Sequence, residues 1–461
     1  MLQFCLSRNF KVWNRFMDDS HVLKNELKNL FKNQTKFTFE KAIMTGKTEI
    51  IIFWLSKNKA GEDDRKYAIS QASRFGRLDL VKTFHASGFE LGRYAYNEAA
   101  EFGHVEVLEY LYKHEFPWDY TALVWAARSG HLDCIKFLHT RGCPWDDYVT
   151  LEIAQSAHKG LLSPLHTDCY IDCLRYVLEN GCPIHKNACT VASEHGRLDC
   201  LLLLHQHDAF WNAYTACMAA SCGKLDCLLY LHQNGCPCNS ETTVYAASGG
   251  SLPCLTYLIE NGCPLGDGAA HEAAKNGHLP CLEYVHRLGC SLTFITSHWA
   301  AHYGRVDCLR YLLDNGCTCN ESCLLAAVNA GNEDCVYCLV EEHGIYLDTD
   351  GSIIEAAFAA GNFHNIQYLL DVGCPVPVEV FTTVNLTVCN WDDANLLRCV
   401  SFARERGLSI CYTLLEYVVN QVNRKYIQKY ALTCAYICRI FDMYLSNVFH
   451  SDEDDSYVYQ L

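Results

Sequence analysis

Glycine recurs in this chain on a fixed ruler. Gly76, Gly103 and Gly130 stand 27 residues apart, and so do Gly196, Gly223, Gly250, Gly277, Gly304 and Gly331. Gly46 and Gly361 extend the series at either end with steps of 30. A second ruler runs beside the first: Cys134, Cys173, Cys200, Cys227, Cys254, Cys281, Cys308 and Cys335, 27 apart after a first step of 39. Self-similarity at this period demands a repeat architecture, in which each unit stacks on its neighbours and no single central core exists. The step of 39 marks one unit with a 12-residue insertion within Gln155–Tyr170. Twelve units then span about Lys36 to Pro377, and a degenerate thirteenth fits Asp393–Leu408 (DANLLRCVSFARERGL).

One unit, Ala126 to Asp146 (AARSGHLDCIKFLHTRGCPWD), shows the local physics. The Ala126–Ala127 pair belongs to a first helix, where small side chains let a neighbouring helix approach. Gly130 suits the left-handed residue that ends such a helix. A second helix begins near Asp133, an acid that complements the helix dipole. Pro253 and Pro280 stand at this point in two other units, and proline also suits a first helical turn. Leu132, Ile135 and Leu138, with Cys134 and Phe137, form an apolar stripe at helical spacing. Gly142 closes the second helix, and a short Cys-Pro-Trp-Asp loop follows. No unit buries its apolar faces alone, so the predicted fold is all-α, an α-solenoid of stacked helix–turn–helix repeats.

Composition narrows the functional classes. The 29 cysteines are odd in number, sit in a long chain of 461 residues and follow no export signal, which favours an intracellular, cytoplasmic and reducing setting over a disulfide framework. No apolar run reaches the roughly 18–20 residues of a membrane span. Net charge is −16, split into +6 over residues 1–60 and −22 over the rest. An acidic body speaks against nucleic acid as the ligand, since phosphate recognition needs a cationic surface.

The string A-A-x-x-G-H-[LV]-x-[CV]-[LI]-x-[YF]-[LV]-x-x-x-G resembles the ankyrin repeat, over about three quarters of the chain. It departs from that family in period, 27 residues here against about 33. The missing residues fall between the helix-closing glycine and the next alanine pair, as from Gly235 to Ala246, where the family carries its β-hairpin finger. Short loops are therefore expected in place of long fingers. Short, cysteine-rich units of this kind are similar to those of large ankyrin families in protists and in the large DNA viruses that infect them. For a viral protein the setting would be the host-cell cytoplasm.

The resemblance implies a monomeric, non-enzymatic scaffold that binds one or more partner proteins through its concave face, with no cofactor, metal, small-molecule substrate or membrane. Family partner choice resides on the two residues after the alanine pair. Carried over, these are Arg74, Phe75, Glu101, Phe102, Arg128, Glu194, His195, Lys275, Asn276, His302 and Tyr303. They change chemistry from unit to unit while the flanking alanines and glycine persist. Phe75, Phe102, His195, His302 and Tyr303 are the strongest candidates, because aromatic residues anchor interfaces. The expected layout is an N-terminal cap (1–35), the repeat array (36–380), a helical C-terminal cap (381–449) and an acidic tail (450–461). Two other functions compete: a substrate-recognition adaptor for a ubiquitin ligase, and a zinc or redox-active cysteine protein.

Several features imitate active chemistry. Cys335 and Cys338 form C-x-x-C, and the pairs Cys236/Cys238 and Cys317/Cys319 form C-x-C. The cysteines nevertheless recur once per unit in columns, which reads as small apolar core rather than a converging zinc site. His85, His139, His205, His232 and His286 share a column near the end of the second helix, where capping or packing is expected. Trp118, Trp145 and Trp211 share an apolar column with Cys238, Leu265, Leu292 and Cys319, which predicts inter-repeat packing. Asp119, Asp146 and Asp147 beside them read as loop or cap residues. Gly46-Lys47-Thr48 mimics the end of a phosphate loop, but the glycine required five residues earlier is Lys41. Ser163-Pro164-Leu165-His166 imitates the family's start of helix one, yet lies inside the insertion.

Overall fold

A computed structural model describes residues 62–156 (except 90, 91 and 93), 167–345, 351–376 and 379–380, with short pieces of 398–410. Gly46, the N-terminal cap, the insert at 157–166 with Ser163–His166, the acidic tail and most of 381–449 lie outside the described residues. The chain divides after Pro237 into two compact units. The first contains six helix pairs: α1 (Glu62–Arg74) with α2 (Leu78–Ala86), α3 (Ala95–Glu101) with α4 (Val105–Lys113), α5 (Thr121–Arg128) with α6 (Leu132–Thr140), α7 (Tyr148–Ser156) with α8 (Thr167–Glu179), α9 (Ala188–Glu194) with α10 (Leu198–Gln206), and α11 (Ala213–Ser221) with α12 (Leu225–Gln233). The second contains five: α13 (Ser240–Ser248) with α14 (Leu252–Glu260), α15 (Ala269–Asn276) with α16 (Leu279–Arg287), α17 (Phe294–His302) with α18 (Val306–Asp314), α19 (Glu321–Ala330) with α20 (Glu333–Tyr337), and α21 (Ser352–Ala360) with α22 (Phe363–Asp371). In each unit, odd-numbered helices pack in one row and even-numbered helices in a second, looser row.

The insertion separates α7 from α8, and α8 itself begins one turn early for a second helix, so the extra residues fall between the two helices of one hairpin. The all-α expectation holds for the array. A two-residue parallel pairing, Glu379–Val380 with Ser409–Ile410, is added at its C-terminal end.

Most turns are set by glycine. In the α5–α6 hairpin Gly130 has φ 74° and donates to Ala127 O at 3.1 Å, while the His131 amide donates to Ala126 O at 3.0 Å. This is the paired closure of a helix end that needs a left-handed residue. Gly142, with φ 88°, closes α6 in the same way. Ala122, Leu123, Ala126 and Ala127 of α5 and Cys134, Ile135 and Leu138 of α6 are fully buried. Each buried leucine contributes about 1.5–3 kcal/mol. Side chains start the first helices too: Asp119 Oδ1 accepts from the Thr121 amide at 2.9 Å, and Asn212 and Asn239 form capping boxes with Thr215 and Thr242.

The cysteine columns are core. Cys134, Cys173, Cys200, Cys227, Cys254, Cys281, Cys308 and Cys335 are all 0–1% exposed. Burial pushes the Cys134, Cys200 and Cys308 thiols up to about 12, so they stay protonated. A second set ties neighbours together: Cys236 Sγ donates to Asn212 O and Cys317 Sγ to Thr293 O, each at 3.2 Å.

The loop tryptophans pack as expected. Trp118 stacks on Tyr96 of the preceding unit with centroids 5.4 Å apart, Trp145 Nε1 donates to Asn180 O of the next at 3.1 Å, and Trp211 meets Tyr230 of the next edge-on at 6.2 Å. The histidine column does more than cap. His85, His139, His205 and His286 each bond through Nδ1 to a tyrosine hydroxyl of the next second helix, namely Tyr110, Tyr176, Tyr230 and Tyr311, at 2.6–2.9 Å. Beyond the last hairpin, Cys399 and Ala403 are buried, and Cys399 Sγ reaches Gly361 O at 3.7 Å. The degenerate segment around 393–408 thus packs on the array through the residues described there.

Candidate protein-binding face

The first helices end in a register that leaves two residues between the buried small pair and the left-handed glycine. The structure places all the predicted partner-binding residues there, half-buried or exposed. It brings several of them together across the boundaries between successive repeats of one compact unit. The Arg74 guanidinium lies 4.9 Å above the Phe102 ring, one unit on. The same relation recurs in the second compact unit, where the Lys275 ammonium lies 5.9 Å from the Tyr303 ring centroid. Arg128 sits 5.1 Å over Trp125 of its own helix, with its Nε 3.9 Å from Glu152 of the next. Asn276 Nδ2 donates to Ser248 Oγ at 3.1 Å. Glu194 stands close enough to Cys222 to add to burial in pushing that thiol up. Phe75 and Glu101 are half-buried on this row. His195, at the end of α9, is half-buried as well.

The densest part lies on α15 and α17. Trp299 stacks on Tyr303 with centroids 5.6 Å apart. His302 meets both rings edge-on, at 5.5 and 5.0 Å. His271 approaches Trp299 at 6.1 Å, and His298 at 5.8 Å. Burial holds the His271 imidazole below its ordinary range, with Glu272 partly offsetting. The Lys275 ammonium also pairs with Glu272 at 3.3 Å. An aromatic centre with a charged rim matches the composition of interface anchors.

The two positions carried over from the family therefore miss part of this face. Trp125, Tyr245, Glu272 and Trp299 stand five residues before the glycine, and His271 and His298 six. That five-back column varies as freely as the predicted ones, through Gln71, Glu98, Trp125, Val191, Met218, Tyr245, Glu272 and Trp299, so the same contrast within the chain could have found it. Exposed tyrosines at 67, 94, 120, 148 and 214 form a further stripe near the starts of the first helices of the first unit. Tyr67 and Tyr94 are stacked at 6.5 Å.

In several units the residue after the central glycine reaches back to the preceding first helix. His104 Nε2 bonds to Arg74 O at 3.0 Å, Arg305 Nε donates to Lys275 O at 3.2 Å, and Asn332 Nδ2 donates to His302 O at 2.7 Å. In each case a side chain satisfies a carbonyl at the end of the preceding first helix. Where the insertion displaces that residue, Tyr170 takes its place, its hydroxyl donating to Arg128 O at 3.3 Å. These side chains lie directly over the glycine. A Cβ added at Gly103 would meet the His131 ring at 2.8 Å, and one at Gly250 the His278 ring at 2.4 Å.

Helix pairs closed by left-handed glycines, stacked in two rows and latched one to the next, define a helical-repeat protein. The family model for ankyrin repeats (three copies) matches residues 69–147, 217–296, 243–322 and 297–379, more than half of the chain. The chain belongs to the ankyrin-repeat family. No curated protein matches it. Among solved structures it is similar to the human ASB11 ankyrin repeat domain, at 23% identity and TM-score 0.35, over 41% of this chain and 98% of that one. It is also similar to the pentatricopeptide repeat protein PPR10 in complex with an 18-nt psaJ RNA element, at 15% identity and TM-score 0.38, over 87% of this chain and 68% of that one. Among the described residues, no helix is long and apolar enough to cross a membrane.

Proposed function

We propose that the chain is a non-enzymatic scaffold that holds a partner protein against the ends of its first helices. The observation that carries this reading is the Trp299–Tyr303–His302 cluster with Lys275 at its edge. Large rings in mutual contact present apolar area at little entropic cost, and the surrounding polar groups supply orientation. Arg74 over Phe102 repeats the motif in the first compact unit. The shortened loops leave this helix row as the part of the unit where chemistry varies, while the residues beside it stay fixed. Family membership supports the same class of function.

The test is affinity purification with quantitative mass spectrometry, comparing the wild type with a Phe102→Ala, Trp299→Ala, Tyr303→Ala triple variant. None of the three rings is in the fully buried core. Specific partners should be depleted at least about tenfold, since hot-spot truncations cost 2 kcal/mol or more. Unchanged recovery by a folded triple variant would remove this face from the proposal.

A further inference from the structure

One unit breaks the pattern of all the others. The helix-closing glycine stands twelve residues after the central glycine at Gly88, Gly142, Gly235, Gly262, Gly289, Gly316 and Gly373, but thirteen after it at Gly344. The extra residue is absorbed by a π turn, Cys338–Glu342, which continues α20. Such turns accommodate a single inserted residue and are found frequently at functional sites. Here the turn has a chemical result. In an α-helix the residue five positions on points roughly 140° away from the first. In an i→i+5 turn it returns over it. Cys338, Glu342 and His343 are therefore gathered on one side, with their ligand-type atoms all within 4.8 Å of one another.

The surroundings extend this cluster. His343 Nε2 lies 3.9 Å from Asp314 Oδ1, at the end of the neighbouring helix α18. Arg310 of α18 grips both oxygens of Glu342, at 2.7 and 2.8 Å, and so fixes the carboxylate while leaving each oxygen a further lone pair. The sequence departs from its own repeat at the same place. The position of Cys338, seven residues after the central glycine, holds tyrosine at 110, 230, 257, 284, 311 and 368 and Thr83, Phe137 and Leu203 in other units, but cysteine in this one. The ladder tyrosine is thus replaced in this unit by a thiol, and His343 stands where most other units put glycine, Glu115 and Asp208 excepted.

We propose that Cys338, His343, Asp314 and Glu342 form a binding site for a transition-metal dication, with zinc favoured by the ligand set. One thiolate, one imidazole and two carboxylates suit zinc, and the thiolate and imidazole select against magnesium and calcium. Arg310 orients the Glu342 ligand from behind, as outer partners of metal ligands do. Binding displaces the Cys338 thiol proton to solvent. The reading of the cysteines as core stands for the columns but is revised for Cys338.

The experiment titrates metal-free, reduced full-length chain with Co2+ as a spectroscopic probe and Zn2+ as competitor. The wild type should bind Co2+ with a thiolate charge-transfer band that Zn2+ abolishes and excess Mg2+ does not. Cys338→Ser should remove the band, His343→Ala should weaken binding at least about tenfold, and Cys254→Ser, in a buried column of another unit, should retain it. Absence of the band in the wild type, or its survival in Cys338→Ser, overturns the site. Should Cys338→Ser lose its circular dichroism, the variants His343→Ala and Asp314→Asn decide, and unchanged Co2+ affinity in both also overturns it.

Discussion

The Nδ1 atom of His286 lies 2.8 Å from the hydroxyl of Tyr311, two residues that belong to successive second helices. The same pair recurs as His85–Tyr110, His139–Tyr176 and His205–Tyr230. Because a repeat protein is held by nearest-neighbour interfaces, each pair bridges one such interface. Tyr230→Phe and Tyr311→Phe should each lower stability by about 0.5–1.5 kcal/mol, the net worth of a hydrogen bond. A double-mutant cycle with the partnering histidine, followed by urea unfolding, should find the two losses strongly non-additive.

His85, at one rung of the ladder, also carries a pH dependence. Burial, and secondarily the neighbouring His114, hold the His85 imidazole below its ordinary value of 6.5. The folded state thus binds the proton less readily than the unfolded chain. The contribution of His85 is complete above pH 6.5 and is lost as pH falls below it, through the depressed folded value. Urea midpoints between pH 7.5 and 5.5 should fall for the wild type. The fall should be smaller for His85→Gln, which cannot titrate.

Two hairpin ends lack the glycine that the others use. Glu115 and Asp208 occupy the left-handed region, with φ 58° and 59°, in the column of Gly88, Gly142, Gly235 and Gly262. Nothing lies within 4 Å of a Cβ built at those glycines, so the cost there is backbone strain alone. Glu115→Gly and Asp208→Gly should therefore raise stability, by about 0.5–1 kcal/mol each. Gly103→Ala should cost more than Gly142→Ala, by about 1–3 kcal/mol, because its methyl also collides with His131. Thermal melts of the four variants give the order directly.

Thiol reactivity should divide the cysteines by exposure. Cys169 and Cys222 are exposed, whereas Cys134, Cys200, Cys227 and Cys308 are buried, with thiols pushed up to about 12. Only a thiolate attacks an alkylating reagent. Brief iodoacetamide treatment of the native protein, read by peptide mass spectrometry, should label Cys169 and Cys222 before the buried cysteines among the described residues. The buried four should react only after denaturant is added.

Much of this was legible from spacing. The glycine ruler predicted the left-handed turns, and the observed positive φ values at Gly76, Gly103 and Gly130 fall on it. The cysteine ruler predicted a buried column because a position that stays small and apolar in every unit has the same neighbours in every unit. The contacts between units were harder to see. His85 and Tyr110 lie at different offsets within their own units, so neither column alone announces the other. The reach of His104 back to Arg74 O depends on side-chain direction, which periodicity does not encode. The stacked residues five before the glycine, Trp299 above all, were missed because the family pattern drew attention to the two positions after the alanines. The extra residue at His343 was visible as a step of thirteen instead of twelve, but its meaning required the π turn that gathers its neighbours.

The backward reach of His104, Arg305, Asn332 and Asn362 has a direction in time as well as in space. A ribosome releases Arg74 about thirty residues before His104, the side chain that satisfies its carbonyl. Until that histidine emerges, the carbonyl bonds to water and the hairpin ahead of it is incomplete. At these units the nascent chain is thus one hairpin short of closure until the next hairpin emerges and locks the one before it. A translational pause placed one hairpin too early would therefore hold open the interface that the next step seals.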